Sequence, residues 1–247
     1  MAALPGGPVG YAHRGFSLDG AENSMAAFQA AVDLGFDHLE TDSRTSADGV
    51  AVSFHDHVLD RVTNHTGRLD ALSWQQISAA RIMDREPIPR LDELLDTFDH
   101  AWFNIDVKSH RAIGPTLDAL RRTNSWQRVR LAAFSHARLV NLRLAAGPKV
   151  ASSLSPREIA WLKAGIGPSI PAGVDWSAQI PSGAGWLRLV DRRLVAAAHR
   201  RGIAVDVWTI NARTEMIRLL DLGVDGIITD RVDVLREVLQ ERGQWRQ

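Results

Sequence analysis

No cysteine occurs among the 247 residues of the sequence. This absence excludes disulfide bonds, zinc sites built on thiolates and cysteine nucleophiles. It does not decide the compartment, because secreted proteins can lack cysteine as well. The chemistry of any functional site must therefore come from carboxylates, imidazoles, hydroxyls and basic groups.

The sequence also lacks an excess of charge of either sign. Lysine plus arginine and aspartate plus glutamate each number 29, so the formal net charge is zero. A whole-protein basic field that would attract nucleic acid or an anionic membrane is therefore excluded. A local basic pocket for a small anion is compatible with this balance.

Long apolar segments are absent too. No stretch approaches the roughly 20 apolar residues that a membrane-spanning helix requires. The N-terminal segment MAALPGGPVGYAHRG has no basic start followed by an apolar run, and such a run is the mark of a signal peptide. We therefore expect a cytoplasmic protein without an integral membrane segment.

The sequence does contain short apolar runs that alternate with segments of helical periodicity, and 45% of its residues are hydrophobic. This alternation predicts a parallel sheet covered by helices. Strands are predicted at 9–13, 38–45, 50–55, 102–108, 129–135, 149–155, 174–180, 204–210 and 226–229. Helices are predicted after a cap at Asn23 or Ser24, from Leu91 to Phe98, and at 136–146, 190–200, 216–222 and 232–242.

Nine strands are one too many for an eight-stranded barrel, and the spacing resolves the excess. Only four residues, including the turn signal Asp48–Gly49, separate the strand at 38–45 from the next. A parallel crossover needs a dozen or more residues, so the strand at 50–55 should return antiparallel. We predict a single α/β domain over 1–247, a (β/α)₈ TIM barrel with a β-hairpin after strand 2 and a small insertion at about 57–87. A second irregular segment is expected at 165–173.

Polar residues recur at the predicted C-terminal ends of these strands, where barrels of this kind carry their chemistry. They are His13, Arg14, Glu40, Asp42, Asp106, Lys108, Ser135, His136, Thr209, Asn211, Thr229 and Asp230. Because apolar strands need no such groups at one end for stability, the pattern indicates a functional site at that rim.

Three of these residues are carboxylates. Glu40 and Asp42 are two residues apart on one strand and share a face, and Asp106 lies on the next barrel strand. Three converging carboxylates repel one another unless a cation lies between them, and oxygen ligands suit Mg²⁺ or Ca²⁺. The alternative is that they form ion pairs with basic neighbours, namely Arg14, Arg44 and Lys108.

Two histidines form the best pair for proton transfer, because imidazole titrates near neutrality. His13 ends strand 1, and His55 ends the hairpin strand that returns toward the same rim. Arg14 and Lys108 can balance the charge of a phosphate. Trp208 can form an apolar wall for substrate, with packing in the core as the alternative.

The order of short motifs resembles the glycerophosphodiester phosphodiesterase family over nearly the whole chain. The motifs are AHRG at 12–15, ENS at 22–24, LETD at 39–42, DG at 48–49, HD at 55–56, PIPRLDEL at 87–94, NIDVK at 104–108, VWTIN at 207–211 and GVDGIITD at 223–230. One such motif would be weak evidence, whereas all of them in this order are specific.

The resemblance implies a TIM barrel that hydrolyses glycerophosphodiesters to glycerol 3-phosphate and an alcohol. It implies Mg²⁺ or Ca²⁺ on Glu40, Asp42 and Asp106, with His13 and His55 as general acid and base. Substrate-binding roles fall to Arg14, Lys108, Trp208 and Glu22, of which Glu22 matches a glutamate near the site. The implied partner is a small-molecule phosphodiester.

The sequence departs from the family pattern at two positions. The third metal carboxylate is usually glutamate but is Asp106 here, and ENS at 22–24 replaces the usual Glu-Asn-Thr. Asp106 with Lys108 is also similar to sphingomyelinase D-type phospholipases. A lysophospholipase D or sphingomyelinase D-like enzyme acting on lysolipids is therefore the alternative function. A non-catalytic barrel that binds phosphodiesters is a further alternative of another class.

Overall fold

The computed structural model describes residues 7–167, 174–181, 183–184 and 187–245. Its strands in chain order are β1 Val9–His13, β2 His38–Thr45, β3 Ala51–Ser53, β4 Arg81–Ile82, β5 Glu86–Pro87, β6 Trp102–Val107, β7 Val129–Ala132, β8 Ser152–Ser153, β9 Trp176–Pro181, β10 Gly183–Ala184, β11 Leu187–Arg188, β12 Ala204–Trp208 and β13 Gly226–Thr229. The helices are α1 Met25–Asp33, α2 Trp74–Ile77, α3 Leu91–Thr97, α4 Ile113–Arg122, α5 His136–Ala146, α6 Pro156–Lys163, α7 Arg192–His199, α8 Arg213–Leu222 and α9 Val232–Glu241.

Eight parallel strands close into a barrel in the order β1, β2, β6, β7, β8, β9, β12, β13. Strand β1 pairs with β2 on one side and with β13 on the other, which closes the ring. The strands mix apolar and polar residues, from the polar β2 (HLETDSRT) to the apolar β13 (GIIT), and helices α1 and α3–α9 follow them along the chain. The predicted TIM barrel is confirmed.

The ninth strand of the main sheet is the predicted hairpin return. Strand β3 pairs antiparallel with β2, with Ser43 opposite Ser53 and Thr45 opposite Ala51. Gly49 takes φ +82° in the connecting turn, a conformation that glycine adopts at little cost. The chain then leads back to the rim of the barrel, because the Phe54 amide donates to the Asp42 carbonyl at 3.0 Å.

Residues 57–87 form a small lobe beside this hairpin, as the length of the connection predicts. The lobe contains helix α2 and the antiparallel pair β4–β5. It has an apolar cluster of its own, formed with the hairpin by Ala21, Val52, Phe54, Leu59, Val62, Leu69, Ile77, Ala80, Ile82 and Ile88. The lobe is therefore anchored to the hairpin and can hold side chains at the rim.

Strands β7 and β8, like β3 and β12, are shorter than the sequence suggests. Strand β7 ends at Ala132 and β8 covers only Ser152 and Ser153. The serines at the ends of the predicted strands cap the next helices instead: the Ser135 hydroxyl accepts from the Arg138 amide, and the Ser155 hydroxyl accepts from the Glu158 amide. Those residues therefore belong to the loops of the barrel mouth.

Helices α4 and α6 are not among the predicted helices. Helix α6 begins with a capping box formed by Ser155 and Glu158, and Pro156 follows the cap. Both are sequence signals of a helix start. The serine lies at the end of the segment 149–155 that the apolar pattern predicts as strand, and this overlap hides the signal.

Among the described residues, no helix is both long and apolar enough to cross a bilayer. The cytoplasmic location stays a prediction. Most of the irregular segment expected at 165–173 lies outside the described residues, which end at 167 and resume at 174.

Candidate active site

A cavity of about 630 Å³ opens at the C-terminal ends of the barrel strands. Eight of the nine residues to which the family resemblance assigns a role line it, namely His13, Arg14, Glu40, Asp42, His55, Asp106, Lys108 and Trp208. Glu22 is the exception. It stands behind Arg14, whose Nη1 donates to the Glu22 carboxylate at 2.9 Å.

The turn after β1 sets the position of Arg14. Arg14 has φ +57° and Gly15 has φ +84°, and an arginine rarely adopts such a conformation without a local reason. The turn is held because the Arg14 amide donates to the Glu40 carbonyl at 2.9 Å. A Cβ on Gly15 would lie 2.6 Å from the carbonyl carbon of Ala27, so only glycine lets the chain pass that close to α1.

Each of the two histidines in the cavity forms a hydrogen bond to a carboxylate through its Nδ1 atom. His13 Nδ1 lies 2.6 Å from Asp230 Oδ1, and His55 Nδ1 lies 2.6 Å from Asp56 Oδ1. Because a carboxylate accepts there, Nδ1 carries the hydrogen and Nε2 is the atom left to exchange a proton. Of the nine histidines, all of which lie in the described part of the chain, only His13 and His55 line the cavity.

The surroundings shift the two imidazoles in opposite directions. Burial lowers the pKa of His13, but the Glu40 carboxylate and the Asp230 hydrogen bond raise it more, so its pKa lies above 6.5. Burial dominates at His55 and holds its pKa below 6.5. His13 therefore holds a proton more readily than His55 does.

Asp42 is the most heavily paired of the three acidic residues. Its carboxylate lies 2.7 Å from Lys108 Nζ and 3.1 Å from Arg14 Nε, and it accepts from Asn23 Nδ2 at 2.9 Å. Although burial raises its pKa, these cations bring the pKa down to about 2. Glu40 is only 5% exposed, and burial next to Asp42 raises its pKa to about 7.

The carboxylates of Glu40, Asp42 and Asp106 suit a hard divalent cation, although their side chains are not arranged as a metal site. Lys108 Nζ lies between Asp42 and Asp106, at 2.7 Å and 2.6 Å. Within the described ranges no three acidic or histidine side chains are grouped closely enough to hold a metal ion. Asp106 Oδ1 is nevertheless buried without a hydrogen-bond partner, and Glu40 is buried with a pKa near neutrality. A cation between them would stabilise both carboxylates.

Arg61, which the sequence did not indicate as a site residue, connects the Arg14–Glu22 pair with the His55–Asp56 pair. Arg61, from the 57–87 lobe, places Nη2 at 2.6 Å from Glu22 and Nε at 2.5 Å from Asp56. It therefore holds both the partner of Arg14 and the partner of His55. No sequence signal points to this role, since Arg61 lies in the middle of the insertion.

The opposite side of the cavity is apolar. Trp208 ends β12, and its ring packs edge-to-face against Phe134 with centroids 6.5 Å apart. Aliphatic side chains from α6, β9 and α7 complete this side, among them Ile159, Ile180 and Leu194. Trp208 therefore lines the cavity within an apolar wall, and its contact with substrate stays a prediction.

Comparisons with known proteins identify the family of this chain. The model of the glycerophosphoryl diester phosphodiesterase family matches residues 13–234. A probable glycerophosphodiester phosphodiesterase 2 from Mycobacterium tuberculosis is 38% identical over 97% of this chain and 94% of its own length. The solved structure of a putative glycerophosphoryl diester phosphodiesterase from Silicibacter pomeroyi has a TM-score of 0.79 at 23% identity, covering 98% of this chain and 96% of that one.

Another solved barrel, a phosphodiesterase from Oleispira antarctica in complex with the product sn-glycerol-3-phosphate, has a TM-score of 0.77 at 21% identity. It covers 94% of this chain and 97% of its own. These structures share the fold, while the family model and the mycobacterial relative extend over almost all of the sequence. The chain therefore belongs to the glycerophosphoryl diester phosphodiesterase family of phosphoric diester hydrolases.

Proposed function

We propose that the chain hydrolyses glycerophosphodiesters to glycerol 3-phosphate and an alcohol, with His13 and His55 as the acid–base pair and a divalent cation as cofactor. The observation that carries the proposal is the placement of two histidine–carboxylate couples around one cavity that also contains Arg14 and Lys108. The product of the proposed reaction, glycerol 3-phosphate, is the molecule with which the Oleispira phosphodiesterase is in complex.

The histidines would move the two protons that hydrolysis requires. One imidazole accepts the proton of the attacking oxygen, and the other donates a proton to the oxygen of the departing alcohol. The Asp230 and Asp56 carboxylates fix the ring orientation at 2.6 Å each. The attacking oxygen belongs either to water or to the glycerol 2-hydroxyl, and the second case gives a cyclic phosphate that water then opens.

Arg14 and Lys108 would bind the phosphate. Arg14 offers a planar fork of hydrogen-bond donors and Lys108 a point charge. Asp42 forms an ion pair with each of them. Glu22 keeps the Arg14 guanidinium in place from behind. Trp208 would form the wall against which the rest of the substrate packs.

Glu40, Asp42 and Asp106 would hold the cation, either Mg²⁺ or Ca²⁺. When bound, such an ion supplies positive charge that stabilises the phosphate oxygens as the transition state forms. Lys108 Nζ lies 2.6 Å from the other oxygen of Asp106, Oδ2, so the unpartnered Oδ1 is the atom that would serve as the ligand. The free Asp106 Oδ1 and the buried Glu40 support the assignment.

The test is hydrolysis of glycerophosphocholine by the purified chain, followed by ³¹P NMR in Mg²⁺, in Ca²⁺ and in chelator. We expect the diester signal to be replaced by glycerol 3-phosphate only when a divalent ion is present. Equal rates in chelator would remove the cofactor from the proposal. Saturable binding of the diester without any product would instead favour a barrel that binds phosphodiesters and does not catalyse.

A further inference from the structure

Asn211, the last residue of the VWTIN motif, has no role in the reaction proposed above, yet it lies beside one of its carboxylates. The residue follows β12, and the neighbouring Ile210 amide donates to the Ile228 carbonyl at 3.0 Å. This hydrogen bond continues the parallel pairing of β12 with β13 into the barrel mouth. The loop that carries Asn211 is therefore held against the end of β13, where Asp230 lies.

The side-chain amide of Asn211 is bonded at both of its ends. Its Nδ2 donates to Asp230 Oδ2 at 2.8 Å, and its Oδ1 accepts from the Asp230 amide and from the Thr229 hydroxyl at 3.0 Å each. The Thr229 hydroxyl accepts from the Arg231 amide at 2.9 Å, so its own hydrogen is available to Asn211. If the Asn211 amide were turned over, its NH₂ group would face two donors and its oxygen a carboxylate. One orientation is therefore fixed.

Asp230 needs such a restraint to serve its histidine. Its other oxygen, Oδ1, lies 2.6 Å from His13 Nδ1, although the Asp230 side chain is 47% exposed. A half-exposed carboxylate can exchange a protein partner for water, and holding it in one rotamer costs entropy. Burial raises the pKa of Asp230, but its hydrogen bonds with His13 and Asn211 bring the pKa below the ordinary value. The group that faces His13 is therefore an ionised carboxylate.

We propose that Asn211 is a positioning residue that holds the Asp230 carboxylate against His13 and so selects the His13 tautomer with hydrogen on Nδ1. The inference rests on the proposed function, since it takes His13 to exchange a proton through Nε2. A neutral imidazole carries hydrogen on one nitrogen only, and the hydrogen bond at Nδ1 decides which nitrogen that is. Asn211 acts through Asp230, because neither residue is among the described residues that line the cavity.

The other histidine of the pair has the same arrangement with a different third group. His55 Nδ1 lies 2.6 Å from Asp56 Oδ1, and Asp56 Oδ2 accepts from Arg61 Nε at 2.5 Å. Each imidazole thus bonds one oxygen of a carboxylate whose second oxygen is held by a further side chain. At Asp230 that side chain is a neutral amide, which restrains the carboxylate without neutralising its charge.

The first test is hydrolysis of glycerophosphocholine by Asn211→Leu and Asn211→Asp. Both variants remove the donor to Asp230 Oδ2, and the second places a like charge beside it. We expect kcat to fall by roughly 10-fold in each variant, because His13 is less well oriented, while KM changes little. Asn211 is exposed, so both variants should keep the wild-type Tm. Asn141→Leu, at an exposed position of α5 outside the cavity, is the control and should keep the wild-type kcat.

A double variant tests whether Asn211 acts through Asp230. Asp230→Ala removes the group that Asn211 is proposed to hold. In that background Asn211→Leu should therefore lower kcat no further, whereas independent effects would multiply. An equal loss from Asn211→Leu in both backgrounds would show that Asn211 acts by another route, and would overturn the inference.

Nitrogen-15 NMR of the metal-free protein provides a readout that does not depend on turnover. At alkaline pH, where the imidazoles are neutral, His13 should carry hydrogen on Nδ1 in the wild type and in Asn141→Leu. In Asn211→Leu the form with hydrogen on Nε2 should gain population and approach the state seen in Asp230→Ala. The His13 signals are identified by their loss in His13→Gln, and the His55 signals should stay unchanged.

The outcomes separate this inference from the proposed function. If the wild type turns over glycerophosphocholine and Asn211→Leu leaves the His13 tautomer unchanged, the inference is overturned and the proposed function stands. A loss of kcat together with a changed tautomer in Asn211→Leu supports the positioning role. If the wild type forms no product, the proposed function itself is overturned, and the inference with it.

Discussion

At the scale of single residues, the neighbouring groups give the two histidines of the cavity different pKa values. His13 and His55 both bond a carboxylate through Nδ1. His13 also faces Glu40, with Nε2 3.8 Å from the carboxylate, whereas His55 faces the cations Arg14 and Lys108 as well as Asp42. Burial lowers the pKa of both imidazoles. At His13 the Glu40 carboxylate and the Asp230 hydrogen bond outweigh burial and the pKa lies above 6.5, whereas at His55 burial prevails and the pKa lies below 6.5.

The opposite shifts predict a broad pH optimum around pH 6.5. Activity should rise with pH as His55 loses its proton, below 6.5, and fall as His13 loses its proton, above 6.5. Asp230→Asn removes the negative charge of the carboxylate that bonds His13 Nδ1 and raises the His13 pKa, so the alkaline limb should move to lower pH. The measurement is kcat/KM as a function of pH for both proteins, with Asp118→Asn as a surface control. An alkaline limb that stays in place in Asp230→Asn would contradict this account of His13.

Asp106 is the third of the proposed metal ligands. Asp106→Asn removes the charge next to the unpaired Oδ1, so we expect the Mg²⁺ concentration for half-maximal activity to rise by about tenfold or more. Titration calorimetry of Mg²⁺ should give the same change without substrate. Asp106→Glu keeps the charge and should still bind Mg²⁺. Asp118→Asn, at the exposed ion pair of α4, is the control and should leave the Mg²⁺ affinity unchanged. Equal Mg²⁺ affinity in Asp106→Asn would remove Asp106 from the ligand set.

At the scale of elements, the inserted lobe is part of the site. Its apolar cluster joins the hairpin that delivers His55, and its Arg61 bonds both Asp56 and Glu22. Arg61 is thus a positioning residue, since it contacts the partners of His55 and Arg14 but does not line the cavity.

We expect Arg61→Met to lower kcat by roughly 10- to 100-fold, because small displacements of reacting groups are costly. Loss of the guanidinium also leaves Asp56 less neutralised, so the pKa of His55 should rise and the acid limb should move to higher pH. Arg68→Met is the matched control, since Arg68 lies in the same lobe and bonds Asp70 instead. A reduced kcat with an unshifted acid limb would assign Arg61 a purely structural role.

The elements that the sequence predicts well are those with a local signal. Strand β2 and helix α5 have the predicted bounds, and each has clear end signals: the turn at Asp48–Gly49 follows β2, while Ser135 caps α5 and Gly147 follows its last turn. The missed helix α6 starts at a serine that also fits the end of a strand. Arg61 could not be assigned, because its two partners lie 5 and 39 residues away and meet it only in the folded chain.

At the scale of the whole molecule, the barrel interior holds an ion-pair network that the sequence did not reveal. Arg130 on β7 donates to Asp206 on β12 and to the Tyr11 hydroxyl on β1, each at 2.9 Å, and to Asp175 at 3.0 Å. These residues are far apart in sequence, and no spacing rule connects them. The network joins strands on different sides of the barrel.

Arg130→Met should lower the free energy of unfolding by about 3–5 kcal/mol, because it leaves buried Asp206 without its cation. Arg121→Met, which breaks an exposed pair with Asp118 on α4, should change it by at most about 1 kcal/mol. Urea denaturation of both variants provides the comparison. If Arg130→Met is as stable as the wild type, the network does not contribute to the stability of the barrel.

The central claim is that the His13–His55 pair at the barrel mouth hydrolyses glycerophosphodiesters. The most direct test is the stoichiometric release of choline and glycerol 3-phosphate from glycerophosphocholine, measured for the wild type, His13→Gln and His55→Gln purified in parallel. The account predicts equal amounts of both products from the wild type and a loss of at least about 100-fold in kcat in each folded variant. Turnover at the wild-type rate in either variant, or no product from the wild type, would contradict it.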